Sequence, residues 1–394
     1  CKEFNVDWAW QIEQRGTGHA VQAAYAHLEH TERVVVLYGD VPLITSATLQ
    51  QLLTCTPIDA VGVLTAQLAN PEGLGRIIRD TDNNLVEIVE QRDATQQQLL
   101  INEINTGIYV LPYKHLASWL AKLQAHNQQN EYYLTDIIAM AVADNVPVLA
   151  HQVKNLLEIS GVNSQQQLAD LERAYQFARA SELMSRGVKI YDPARLDIRG
   201  AVTVGADVMI DVNVVLEGDV TLGDNVVLGP NVVIKNSVLG AGTVVHANSI
   251  IDGAVTNNHC ELGPFARIRP GTQLQSRAKI GNFVEIKNSI VDENTKINHL
   301  SYIGDAEVGK SVNIGAGVIT CNYDGANKYK TIIEDNVFVG SNCELIAPVT
   351  IGRGATLAAG TTLVKNAPAG ALTLTKKIMQ TIAAWKRPAK QPVV

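Results

Sequence analysis

Paired cysteines, an excess of positive charge and long apolar runs are all missing from this sequence. Its five cysteines, Cys1, Cys55, Cys260, Cys321 and Cys343, are odd in number and show no C-x-x-C spacing, so neither a disulfide framework nor a zinc site is indicated. They read as free thiols in a reducing cytoplasm. A net charge of -7 with a pI near 5.7 argues against nucleic acid or an anionic membrane as the main partner, while leaving room for a local basic site that takes phosphates. No apolar run reaches the ~18 residues of a membrane span, and the first twenty residues lack the three regions of a signal peptide. The sequence begins without Met, so the natural amino terminus is expected to lie upstream.

What the 394 residues do contain is two architectures in series. Of 30 glycines, nine precede residue 200 and the remaining 21 lie between Gly200 and Gly370. The first part alternates β-rich runs, "RVVVLYGDVPL" and "AVGVLTAQL", with helical stretches, "SATLQQLLT" and "KHLASWLAKLQAH". That rhythm predicts an α/β domain with a largely parallel sheet. Between Asn163 and Arg186, apolar residues at Leu168, Leu171, Tyr175 and Ala178 have the spacing of one helix face, predicting a helical arm capped by Asn163 or Ser164.

From about Ile190 the period changes to six. Aliphatic residues recur at Val339, Leu345, Ile351, Leu357 and Leu363, and the same step joins Leu222, Leu228 and Ile234. Such hexapeptide repeats build a parallel β-helix of three short strands per coil, with the aliphatic position on the axis. Gly, Asn and Asp suit the corners because they tolerate left-handed backbone. A β-sandwich would alternate at two without the six-residue step. The repeat is expected to break once, between Ile314 and Val339, where "TCNYDGANKYKT" leaves the coil. That loop, with Asn322, Tyr323, Lys328 and Lys330, is either a phosphate- or sugar-recognising insertion or a tolerated one.

A filled solenoid leaves chemistry to its outside or to the space between subunits. His299 in "KINHLSYIG" stands out there. An imidazole, titrating near pH ~6.5, is largely a free base at neutral pH, yet a lone histidine equally suits a surface hydrogen bond. Arg267, Arg269, Glu285 and Lys287 lie within a few coils, and stacking of coils can gather an anion clamp, an orienting carboxylate and a base. The combination fits acyl transfer to an amine on a phosphorylated substrate. In the first part, "QIEQRGTGHA" offers a Gly-Thr-Gly turn and "VVVLYGD" ends a strand on Asp40. A strand-end carboxylate suits magnesium shared with substrate phosphates, though it is equally a helix cap.

Read in order, "EQRGTGHA", "LYGDVPL", "GLGRI", "EINTGIY", "EYYLTDI", "GPFARIRPG", "GNFVEIK", "NIGAGVITCNYDGANKYKT" and "VFVGSN" resemble the bacterial bifunctional family of N-acetylglucosamine-1-phosphate uridyltransferase and glucosamine-1-phosphate N-acetyltransferase, from Gln11 to about residue 370. The resemblance implies an α/β nucleotidyltransferase (Rossmann-like) domain over 1–162, incomplete at its N-terminus, a linker helix over 163–187, a left-handed parallel β-helix over 188–370 and a tail over 371–394. It implies a cytoplasmic homotrimer that acetylates glucosamine 1-phosphate from acetyl-CoA. The N-acetylglucosamine 1-phosphate formed then attacks UTP with Mg2+, giving UDP-N-acetylglucosamine for cell-wall precursors. No nucleic-acid or membrane partner is implied.

Carried over by motif, His299 resembles the general base and Glu285 its orienting group. Arg269, Lys287, Tyr302, Asn322 and Lys328 resemble sugar-phosphate contacts. Asn313, Asn322, Tyr323, Ser341 and Ala359 fall near the amine or acetyl-CoA. In the first domain Gln11, Gly16, Thr17, Tyr38, Gly39, Asp40, Gly75, Glu90, Asn105 and Asn163 resemble nucleotide-sugar contacts, with Asp40 and Asn163 as the magnesium pair. The family opens with L-A-A-G-x-G-T-R-M and a nearby lysine; this sequence starts beyond them, which predicts weak uridyl transfer by the chain as given. Lys376 stands where the family often has a cofactor-contacting arginine, keeping the charge and losing the fork. The basic tail "KKIMQTIAAWKRPAKQ" either neighbours the CoA phosphates or is solvated.

Overall fold

The structure, a computed structural model, describes residues 6–28, 31–376, 379 and 381–385. Cys1 and most of the basic tail lie outside the described residues; Cys55, Cys260, Cys321 and Cys343 are all free thiols. Two compact units divide the chain, Cys1–Ala174 and Tyr175–Val394.

The first unit runs α1 (Thr17–Ala24), β1 (Arg33–Val36), α2 (Ser46–Cys55), β2 (Val61–Gln67), β3 (Arg76–Arg79), β4 (Leu85–Val89), β5 (Glu103–Pro112), α3 (Tyr113–Lys122), α4 (Asp136–Ala143) and β6 (Val148–Gln152), and then enters α5 (Gln165–Ser185). The alternation of side chains along the central strands sorts them into two cores. Val61 and Val63 of β2, with Tyr109 and Leu111 of β5, pack with Leu116, Trp119, Ile137 and Ile138 of α3 and α4. Leu64 and Ala66, with Ile104, Ile108 and Val110, pack with Leu52 of α2. Burial on both faces explains why β2 reads as an unbroken apolar run.

The sheet is mixed, which corrects the expectation of a largely parallel one. Among the described residues of this unit only β2 and β6 pair in parallel; β5 runs antiparallel to β1, β2 and β3, and β3 to β4. Hydrophobic rhythm marks a strand as buried and says nothing of its direction. At the start of α5, Ser164 Oγ accepts from the Gln167 amide (3.2 Å), while Gln167 Oε1 accepts from the Asn163 amide (2.7 Å), a reciprocal cap. The apolar face of α5 differs from the expected one, because Ala178 is exposed. Gln176 is buried instead, since both ends of its amide are satisfied by the Ile198 backbone at 2.7 and 3.0 Å.

The second unit is a β-helix whose three faces are parallel ladders of two- to four-residue strands, apart from the nine-residue Leu196–Val204 and Val214–Leu222, which run around a corner. One face alone counts eleven strands. Its inward column runs Leu228, Val245, Leu262, Ile280, Ile297, Ile314, Val339, Leu357, all at most 4% exposed. The six-residue step breaks more often than expected. Besides the excursion between Thr320 and Ile333, it shortens to five at Ile234–Leu239, Ile251–Thr256, Ile286–Val291 and Ile303–Val308, as the ladder registers require. All four lie at the corner between the second and third faces, where Asn236, Gly253, Asn288 and Asp305 hold positive φ. Positive φ does not by itself set the corner length, since Gly271 holds it at the same corner where the step from Ile268 to Leu274 is six. Positive φ also occurs at Phe265, Phe283 and Leu300, bulky residues that the corner rule did not anticipate.

Candidate functional site

His299 ends the strand Lys296–His299 on the first face and stands directly opposite Asn282 of the preceding coil. Its Nδ1 lies 2.9 Å from Asn282 Oδ1. With that oxygen as acceptor the proton sits on Nδ1, leaving the Nε2 lone pair free. Extending the register two residues past Ile314, Val339 and Leu357 puts Ala316, Ser341 and Ala359 in the same column as His299, one per coil. Thus Ser341 and Ala359, 42 and 60 positions away in sequence, line up with it at the strand spacing of about 5 Å per coil. Asn313 stands beside Lys296 on the same face.

An open groove of about 730 Å³ runs down this face to His299, lined also by His246, Glu261, Lys279, Asn282 and Asn298. His246 Nε2 and Lys279 Nζ hold the two oxygens of Glu261 at 3.1 and 2.8 Å. The Lys279 and His246 interactions outweigh burial and hold that carboxyl below its usual range. Asn298 Oδ1 is buried without a partner among the described residues. None of these five was singled out from the sequence as a site residue, although Asn282 falls within "GNFVEIK".

A second cluster forms on the next face and its far corner. Arg269 stands opposite Lys287, one residue beyond the Ile268–Ile286 pair, and Glu285 opposite Tyr302. Glu285 takes Arg269 at 2.8 Å and Arg267 at 3.8 Å. Within one chain Glu285 holds the arginines, and Asn282 is the side chain in contact with the imidazole. Gly304 occupies the Lys287 column, and a Cβ there would meet the Tyr302 hydroxyl at 2.4 Å, so the absent side chain makes room for the tyrosine. The insertion is a small hairpin, with Tyr323 bridged to Lys328 and Asp324 Oδ1 accepting from the Ala326 and Asn327 amides. Tyr323 is exposed, Asn322 buried. Lys376 is exposed three residues past the last strand, Leu372–Thr373.

In the first unit the sequence-derived residues fall around the end of β1 and the start of β5. Gln11 Nε2 donates to the Gly16 carbonyl at 3.1 Å, and Thr17 Oγ1 accepts from the Leu134 amide at 3.1 Å. Gly107 has φ 77 and lies so close to Tyr38 that a Cβ would stand 1.9 Å from the ring. Asn105 Oδ1 accepts from the Gly107 amide and its Nδ2 donates to the Tyr109 hydroxyl, 3.0 and 2.7 Å. Gly75 sits beside Glu90, whose carboxyl is pushed up by burial, with Thr135 opposing and the charges of Asp136 and Asp93 adding. Burial, then Glu90 and Asp40, raise the Tyr38 hydroxyl. The buried Tyr109, which buttresses Asn105, was not singled out from the sequence.

Gly39 and Asp40 follow β1 in an exposed turn. The Asp40 carbonyl accepts from the Val162 amide at 2.9 Å, which sets Asn163 next to it. One exposed carboxylate and one amide oxygen suit a magnesium ion that draws its remaining ligands from phosphates and water. Among the described residues no cluster of three or more His, Cys, Asp or Glu could hold a metal by itself, and no helix is long and apolar enough to cross a membrane.

Comparison with known proteins covers both units. A MobA-like NTP transferase domain model matches residues 1–134, a GMPPB C-terminal domain model residues 198–274, and a model for the hexapeptide repeat of succinyl-transferase residues 330–365. The bifunctional protein GlmU of Nitrosospira multiformis is 51% identical over 386 residues, 98% of this chain and 84% of that protein. A UDP-glucose pyrophosphorylase solved with UDP-glucose is 19% identical, with a TM-score of 0.33 over 42% of this chain and 63% of that one; at that level of likeness it carries no argument.

Proposed function

The chain belongs to the bifunctional GlmU family, with a nucleotidyltransferase domain and a hexapeptide-repeat acetyltransferase domain in one polypeptide, and on that premise we propose how its residues divide the two reactions. In acetyl transfer the amine of glucosamine 1-phosphate attacks the thioester carbonyl of acetyl-CoA. The new N–C bond forms as the C–S bond breaks, His299 takes the amine proton on Nε2, and the CoA thiolate leaves. The observation that carries this reading is the His299 Nδ1 to Asn282 Oδ1 contact at the end of an open groove. It supplies an oriented base with one nitrogen free.

Arg269, Lys287, Tyr302, Asn322 and Lys328 bind the sugar phosphate; Asn313, Tyr323, Ser341, Ala359 and Lys376 line the path of acetyl-CoA. The base and the cationic cluster occupy different faces of the solenoid, which supports a site shared by neighbouring copies. So does the exposed ridge of Phe265, Phe283 and Leu300, 48, 55 and 62% exposed, because apolar surface beside a functional groove favours a protein partner. A homotrimer is the assembly proposed, and sedimentation equilibrium reads it directly.

In uridyl transfer a phosphate oxygen of N-acetylglucosamine 1-phosphate attacks the α-phosphorus of UTP and pyrophosphate leaves. Tyr38, Gly75, Glu90 and Asn105 hold the nucleotide sugar, and Gln11, Gly16 and Thr17 border it. Asp40 and Asn163 would hold Mg2+, which when bound neutralises triphosphate charge. Both substrates and products are soluble, and a cytoplasmic setting is proposed with them.

The experiment is release of CoA thiol from acetyl-CoA and glucosamine 1-phosphate by the parent and by His299→Ala at equal oligomeric state. A loss of about 10²–10⁴-fold in the variant is expected of a general base. Equal rates would overturn the assignment.

A further inference from the structure

Asp305 has so far appeared only as a corner residue and in no set of site residues. It sits at the corner between the second and third faces, with φ 50, one coil before the hairpin insertion, and its side chain is only 12% exposed. Both carboxylate oxygens are engaged. Oδ1 accepts from Asn288 Nδ2 at 2.6 Å and Oδ2 from Asn322 Nδ2, while Lys287 Nζ lies 4.0 Å from Oδ2. Its backbone also spans the insertion: the amide donates to the Lys287 carbonyl at 3.0 Å, and the carbonyl accepts from Thr331 at 3.2 Å. Asn322 begins the hairpin and Thr331 follows its end, so one residue fastens both ends of it.

The corner alone does not require an aspartate. Asn236 and Asn288 hold it three coils apart with φ 44 and 46. What Asp305 adds is a second acceptor oxygen and a negative charge. Burial pushes its carboxyl up, but the amides of Asn288 and Asn322 and the charges of Lys287 and Lys328 prevail and hold it below the usual range. An ionised acceptor of two amide donors also dictates their orientation. Asn322 is locked with its NH2 toward Asp305, which reserves its carbonyl oxygen for a ligand donor.

We propose that Asp305 is a positioning residue for the amino-sugar phosphate: it orients Asn322 as a hydrogen-bond acceptor for a sugar hydroxyl or amine and fixes Lys287 and the Lys328 hairpin for the phosphate. This rests on the acetyltransferase reading above. An asparagine at 305 keeps the size and the tolerance of left-handed backbone, but offers one acceptor where two amides need one each. An NH2 then faces an NH2, and Asn322 relieves the conflict by turning its oxygen inward.

The test is Asp305→Asn in the full chain, measured by steady-state acetyl transfer and by calorimetric binding of glucosamine 1-phosphate. KM and Kd for the sugar phosphate rise about tenfold, the loss of one charge-assisted contact, while kcat changes less than about threefold and the melting temperature and oligomer size hold. Adding Asn322→Asp returns an acceptor to both places and recovers most of the affinity. Unchanged KM and Kd would overturn the proposal. So would a variant whose kcat, melting temperature and assembly fall together, since that is a structural role only. A parent that binds the sugar phosphate, loses it on Asp305→Asn, yet transfers no acetyl group would retain the positioning role and overturn the acetyltransferase reading instead.

Discussion

His299 and Asn282 face each other across successive coils, Nδ1 to Oδ1 at 2.9 Å. With Asn282 Oδ1 as the acceptor the contact fixes a tautomer, and its removal is separable from removal of the base. Asn282→Ala leaves an imidazole that samples both tautomers and rotates. We expect kcat for acetyl transfer to fall about tenfold, less than the loss for His299→Ala, with KM for both substrates within about twofold. Side-by-side steady-state kinetics of the two variants check the order; an Asn282→Ala enzyme as slow as His299→Ala would give Asn282 a larger part than orientation.

Gly107 offers a way to disable one half alone. A Cβ at φ 77 would meet the Tyr38 ring at 1.9 Å, and positive φ adds about 1 kcal/mol of backbone strain for a non-glycine residue. Gly107→Ala should therefore displace Tyr38 and cut pyrophosphate release from UTP and N-acetylglucosamine 1-phosphate at least tenfold. Acetyl transfer, carried by the other unit, should stay within about twofold. Equal loss of both activities would mean the substitution unfolds more than its own site.

Asp136 makes the first unit sensitive to pH. Burial, then the charges of Glu87 and Asp93, push its carboxyl up to about 6, against ~3.9 in an unfolded chain. Between those values the folded state binds the extra proton, so stability falls as pH rises through the window and the penalty is complete above pH ~6. Asp136→Asn removes it. The variant should be more stable than the parent at pH 8 by about 1 kcal/mol, after allowing for solvent screening and for a lost favourable charge in the first turn of α4. The difference should vanish near pH ~4. Urea unfolding at the two pH values, followed through the buried Trp119 of that unit, gives the sign.

The six-residue step put Leu345, Ile351 and Leu357 on the solenoid axis before any coordinates, because an aliphatic that recurs at one corner-to-corner distance has only the interior to occupy. The family motifs likewise named His299, Arg269, Lys287 and Tyr302. Strand direction in the first unit was not legible, since β1 and β2 differ in their pairing partners rather than in their composition. Nor was the length of each corner: the step is five at Asn236 and Asn288 and six at Gly271, although all three hold positive φ.

The sequence by itself determined the aliphatic column on the solenoid axis and which family the chain resembles, because a six-residue aliphatic step has only the interior to occupy and motifs are read in order. Only the tertiary structure decided who touches whom. Asn282 meets His299, since a ladder register joins residues 17 apart. Asp305, which looks like any corner residue in the sequence, becomes the anchor of the insertion because coil stacking brings Asn288, Asn322 and Lys287 to its two oxygens.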